Sequence, residues 1–136
     1  MKSIFVDTAA LIALGNQRDS FHALAKQKQT HLVESQYRFI SSDFIIAEYC
    51  NAFSRLKFKN IAIQTVNTLY QSNAWKIIPA DKKLMSQSFD LFTQMQDKEW
   101  GLVDCSSILI AREYQLTHIF TADKHFEQAG FQILLK

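Results

Sequence analysis

Four carboxylates stand where this chain of 136 residues can concentrate negative charge: Asp7, Glu48, Asp104 and Asp123. Asp7 follows the β-rich run Ser3–Val6, and Asp123 follows a second such run over residues 117–121. Open α/β sheets bind ligands outside the carboxyl ends of their strands, so both acids fall on the expected face. Glu48 interrupts an apolar stretch, with Phe44, Ile45, Ile46 and Ala47 before it and Tyr49 and Cys50 after. A carboxylate buried in such a segment is costly unless its charge is compensated. Asp104 opens a helix whose body, Ile108-Leu109-Ile110-Ala111, is apolar. Drawn into one cleft, four carboxylates repel and raise one another's pKa unless a cation joins them. An all-oxygen donor set favours Mg²⁺ or Mn²⁺ over zinc. Such an ion keeps positions open for phosphate oxygens and activates a water toward a phosphodiester.

Each acid also has a structural alternative. Asp7 can cap the helix that follows it, and Asp104 with Ser106 and Ser107 reads as an N-cap cluster. Asp123 suits a turn, and Glu48 can reach solvent or pair with Arg55 or Lys57.

The elements that must position these residues alternate between short strands and helices. After Asp7-Thr8, residues 9–14 are helix-forming and end at Gly15-Asn16. Residues 20–36 carry apolar positions at helical spacing, and 38–41 form a second strand. Ser42 or Asp43 then caps the helix that holds Glu48. A helix over 60–72, a strand over 75–78 closed by Pro79, and a helix over 81–96 follow. Gly101 breaks the chain before a helix over 104–114, and a strand over 117–121, a helical turn over 124–129 and a strand over 131–135 complete it. This order predicts an α/β fold: a mainly parallel central sheet flanked by helices, in a single domain over residues 1–136.

Composition narrows the class. Hydrophobic residues are 48% and charged residues 21%, the balance of a globular protein. No apolar run approaches the roughly 20 residues that span a bilayer, and the first residues do not resemble a signal peptide, so a cytoplasmic protein is expected. Cys50 and Cys105 are far apart, and His22, His31, His118 and His125 are scattered without HExxH-type spacing. Zinc is not expected, nor is a histidine ligand. The net charge of +2 is too small to announce nucleic-acid binding by itself.

Four blocks resemble the PIN-domain nucleases, the fold of many prokaryotic VapC-like toxin ribonucleases. They are Ile4-Phe5-Val6-Asp7-Thr8-Ala9-Ala10-Leu11, Ser41-Ser42-Asp43-Phe44-Ile45-Ile46-Ala47-Glu48, Asp97 to Ser107 around Asp104, and Phe120-Thr121-Ala122-Asp123-Lys124-His125-Phe126. They lie in the family's order along nearly the whole chain. The resemblance implies a Mg²⁺- or Mn²⁺-dependent endoribonuclease, the toxin of a toxin–antitoxin pair, with RNA as substrate. Asp7, Glu48, Asp104 and Asp123 would be its catalytic, metal-binding acids, and Thr8 and Thr121 hydroxyls that orient a ligand, a water or a phosphate. A homodimer and a small antitoxin protein are its implied partners. Lys98 and Trp100 are candidates for phosphate contact and base stacking, against the alternative of a solvated Lys98 and a core Trp100. Arg55 and Lys57, with Lys59, are candidates for an RNA groove, against that of a solvated face. Asp97 and Glu99 are expected in a solvated loop.

Two phosphate-handling alternatives fail locally. A haloacid-dehalogenase-type phosphatase needs a second Asp two residues after the first, where this chain has Ala9, and a phosphoreceiver domain needs paired acids where Asp7 stands alone. The remaining rival is a catalytically silent PIN-like module that binds RNA or protein.

Overall fold

The computed structural model describes residues 2–136. The elements run β1 (Ser3–Val6), α1 (Thr8–Gly15), α2 (His22–Glu34), β2 (Arg38–Ser42), α3 (Asp43–Ala52), α4 (Leu56–Gln71) and β3 (Trp75–Ile78). α5 (Lys82–Gln94), α6 (Leu102–Glu113), β4 (His118–Phe120), α7 (His125–Gln128) and β5 (Gln132–Ile133) complete the order. The five strands make one sheet in the order β3-β2-β1-β4-β5, and every pairing is parallel. β1 lies at the centre, fully buried from Ile4 to Val6, as expected for a strand covered on both faces. The chain leaves β1 toward β2 and β3, then returns to its other side with β4. The carboxyl ends of β1 and β4 therefore flank the point where the winding reverses, the usual ligand crevice of such a sheet.

Capping chemistry explains most boundaries. Ser42 Oγ accepts from the Ile45 amide and starts α3, and Asp81 accepts from the Leu84 amide and starts α5. Asp43 instead ties elements together, accepting from the Tyr70 hydroxyl at 2.6 Å and the Ala80 amide at 3.2 Å. Three helices end in the same left-handed turn, at Gln36 (φ 60°), Gln115 (φ 55°) and Gly130 (φ 97°). Each turn returns two backbone bonds to its helix, for example Gln115 N–H to Arg112 and Leu116 N–H to Ala111.

Gly15 departs from expectation. It is the last residue of α1, not a left-handed stop beyond it. A methyl group there would stand 2.8 Å from Phe53 Cε2, so the glycine permits the close approach of α1 to Phe53, just beyond α3. α4 begins earlier than expected, at Leu56, so Lys57 and Lys59 belong to its first turn. α6 likewise begins at Leu102, with Gly101 at its N-cap.

A candidate metal centre at the carboxyl edge of the sheet

The site begins with Asp7, whose backbone amide bonds to Phe120 of β4 at 3.1 Å and extends the ladder one residue past β1. Asp7 occupies the N-cap position of α1, yet its side chain makes no capping bond. The carboxylate is 5% exposed, and its Oδ2 accepts from the buried Thr121 hydroxyl at 2.8 Å. Burial pushes its pKa up from 3.8 to about 7, against the Thr121 and Thr8 hydrogen bonds that lower it; the charges of Asp104 and Glu48 raise it further. That coupling places Asp7, Asp104 and Glu48 in one electrostatic neighbourhood.

Glu48 takes the solvent-facing alternative. It is exposed, because α3 buries Ile45, Ile46 and Tyr49 against the core and turns Ala47 and Glu48 outward. Burial therefore demands no compensation for it. Its carboxylate is held instead by the Thr8 hydroxyl, which donates to Oε1 at 2.6 Å. Neither Arg55 nor Lys57 pairs with it among the described residues.

Asp104 sits in the first turn of α6, at the third helical position. Its Oδ2 accepts from the Gly101 amide at 3.0 Å, which both caps the helix and fixes the carboxylate. Asp123 lies just past β4. Its amide donates to Thr121 Oγ at 3.0 Å, and its Oδ1 accepts from the His125 amide at 2.9 Å. Thr121 thus serves two acids at once, donating to Asp7 and accepting from Asp123. Both threonine hydroxyls are committed to the protein's own groups, an arrangement that holds carboxylates in place.

The histidine that spacing did not single out is His125. Its Nδ1 lies 3.2 Å from Asp104 Oδ2 and 3.3 Å from Asp123 Oδ1. Donor atoms of Asp104, Asp123 and His125 all fall within 4.8 Å of one another. The signal available in the sequence was Asp123-Lys124-His125, an Asx-type turn that folds the ring back toward its own acid.

None of the proposed RNA-contact residues pairs with the four acids among the described residues. Trp100 is 4% exposed, and its indole N–H donates to Gln128 at 2.9 Å, so it offers no free face for a base and the stacking role is corrected to a core one. Lys98 pairs with Asp97 at 3.3 Å in the exposed loop before α6, and Glu99 is exposed beside them. Arg55 is the exposed N-cap of α4. Lys57 lines a hollow with Gly15, Arg18 and Phe58 at the far end of α1 from Thr8, about 10 Å along the helix at about 1.5 Å per residue.

No Lys or Arg pairs with any of the four acids among the described residues. A cluster of acids with a buried member, joined by the imidazole of His125 and by no Lys or Arg among the described residues, suits a hard divalent cation.

The chain resembles known proteins over nearly its whole length. The chain is 25% identical over 129 residues to the 23S rRNA-specific endonuclease VapC20 of Mycobacterium tuberculosis, covering 94% of this chain and 95% of that protein. It is 23% identical over 128 residues to the ribonuclease VapC26 of the same organism, covering 90% and 89%. The crystal structure of VapC20, described as a sarcin-ricin loop cleaving toxin, superposes with a TM-score of 0.81 at 24% identity over 94% of this chain and 95% of that one. FitAcB from Neisseria gonorrhoeae superposes with a TM-score of 0.64 at 18% identity over 96% of each chain. The PIN domain family model matches residues 4–132. This chain belongs to the PIN domain family.

Proposed function

We propose that the protein is a divalent-metal-dependent endoribonuclease, the toxin of a toxin–antitoxin pair, with Asp7, Glu48, Asp104 and Asp123 holding Mg²⁺ or Mn²⁺. One observation carries this reading: the buried Asp7 carboxylate shares the Thr121 hydroxyl with the Asp123 amide, and among the described residues no basic side chain pairs with Asp7. The names of VapC20 and VapC26 support RNA as the substrate class.

When bound, the ion supplies Lewis acidity toward a phosphate oxygen and lowers the pKa of a coordinated water. The chain's residues prepare for it. Thr121 orients Asp7, Thr8 orients Glu48, and the Gly101 amide orients Asp104. Three acids are thereby fixed before substrate arrives, so little reorganisation is required at the moment of reaction. Glu48, Asp104 and Asp123 retain solvent access, which leaves the phosphodiester a path of approach.

The implied partners also have surface to meet. Met85, Phe89 and Phe92 form an exposed apolar stripe on α5, and Phe53, Ala62, Ile63 and Val66 line a groove between α3 and α4. Such patches suit a homodimer and a small antitoxin protein. Among the described residues no helix is long and apolar enough to cross a membrane, and we place the protein in the cytoplasm.

The test is cleavage of a panel of structured and unstructured RNAs, ribosomal RNA included, with Mg²⁺ or Mn²⁺ and with chelator. Cleavage that vanishes with chelator, and in Asp7→Asn and Asp104→Asn, is the expected result. Equal cleavage by wild type and both variants overturns the assignment of the acids. A wild type that neither cleaves the panel nor binds metal indicates a silent binding module.

A further inference from the structure

His125 is the polar group nearest the acids that the reading above leaves without a role. Its position is built from both sides. The backbone bond from His125 N–H to Asp123 Oδ1 at 2.9 Å seats the ring at the start of α7. Asp104 Oδ2 arrives from α6, 21 residues earlier, already fixed by the Gly101 amide. The ring nitrogen Nδ1 then stands 3.2 Å and 3.3 Å from one oxygen of each acid. Adjacent ligands on an octahedral ion, each about 2.1 Å from it, lie about 3 Å apart. The observed spacings are therefore close to those of neighbouring positions on one ion. The three side chains are 20% to 34% exposed, so solvent reaches the group.

We propose that His125 Nδ1 is a ligand of the divalent ion, together with Asp104 and Asp123, and that it biases the site toward Mn²⁺ over Mg²⁺. The inference rests on the metal-nuclease reading and adds to it a nitrogen donor. Mg²⁺ is small, dehydrates reluctantly and takes oxygen ligands, whereas Mn²⁺, also an oxygen-preferring ion, is larger and softer and tolerates an imidazole nitrogen better than Mg²⁺ does. One nitrogen among carboxylates therefore favours Mn²⁺. A hydrogen bond from an Nδ1–H to the two carboxylates would produce similar distances without the ion. The two arrangements differ in whether the nitrogen touches the metal.

Pulsed electron paramagnetic resonance on the full chain loaded with Mn²⁺ reads that contact directly, without any variant. The expected result is a ¹⁴N coupling of an imidazole bound to Mn²⁺. In His125→Gln the coupling disappears, and Mn²⁺ affinity measured by calorimetry falls about tenfold or more. Mg²⁺ affinity changes less, so the Mn²⁺/Mg²⁺ preference narrows. A melting curve of metal-free His125→Gln that matches wild type shows the loss is not one of folding. Bound Mn²⁺ without nitrogen coupling in wild type, or an unchanged metal preference in the variant, overturns the ligand assignment and leaves the acid cluster intact. A wild type that binds no Mn²⁺ overturns both.

Discussion

Replacing Asp7 with Asn should make the metal-free protein more stable, although it removes a residue of the proposed active site. In the folded chain the Asp7 carboxyl titrates near 7 instead of 3.8. Each pKa unit corresponds to about 1.4 kcal/mol, so keeping Asp7 ionised above pH 7 costs the fold about 4 kcal/mol. The sign is opposite to that of a salt-bridged acid. The raised pKa means the folded state binds the proton more tightly, so its contribution is fully present below pH 3.8 and is lost as pH rises through 7. Asparagine does not titrate and can still accept the Thr121 hydroxyl. Part of the gain is offset because its NH₂ group enters a buried space, leaving about 2–4 kcal/mol. At about 4 °C per kcal/mol for a chain of this size, the melting temperature at pH 7.5 with chelator should rise on the order of 10 °C. The advantage should shrink steadily below pH 7 and be nearly gone at pH 4. Mn²⁺ should raise the melting temperature of wild type more than that of the variant, since a cation favours the ionised form and the variant lacks one of the proposed ligands. The measurement is paired thermal denaturation of both proteins across pH 4–8. A variant no more stable than wild type at pH 7.5, or one whose advantage does not vary with pH, refutes the claim that Asp7 is an uncompensated buried charge.

Four further outcomes follow from individual contacts. Thr121→Val removes the donor to Asp7 and the acceptor for the Asp123 amide; denaturant titration should show a loss of about 1–3 kcal/mol, with weaker metal binding by calorimetry. Gly15→Ala should destabilise by about 1–3 kcal/mol despite alanine's better helix propensity, because its methyl meets the Phe53 ring. Gln115→Gly relieves a left-handed backbone at φ 55° and should raise the denaturation midpoint, by up to about 1 kcal/mol. Trp100→Phe loses the bond to Gln128 and should cost about 1 kcal/mol of stability while leaving the KM for RNA unchanged; a raised KM would restore Trp100 as a base contact.

The order and type of the elements were legible because strand runs end on residues with clear local meaning. Ser3–Val6 stops at an Asp, and Arg38–Ser42 stops at a serine that does cap α3. The convergence of the acids was legible to the extent that two of them follow strands. What was hidden depends on packing between distant segments. Nothing in Phe44-Ile45-Ile46-Ala47-Glu48 shows which side of α3 meets the core, so the sequence left a buried and a solvent-facing Glu48 both open, and it is exposed. Trp100 precedes α6 in a polar loop, and its burial requires Gln128 of α7, 28 residues away. His125 gains its second partner from Asp104 on another helix, beyond any local spacing rule. Gly15 carries an ordinary stop signal, and its closeness to Phe53 follows from how α1 packs.

The bond between Thr121 and Asp7 spans 114 positions of the chain, which bears on when activity can arise during synthesis. Asp7 leaves the ribosome well before its hydroxyl partner, its β4 neighbour and Asp123, which are made more than a hundred residues later. At about 5–20 residues per second, that interval lasts several seconds or more. Until then the central strand lacks one flank, and Asp7 remains in water with an ordinary carboxylate. A nascent or prematurely terminated chain therefore cannot assemble the cluster. For an enzyme able to cut RNA, translation itself then serves as a timer, withholding the proposed active centre until β4 and Asp123 have been made.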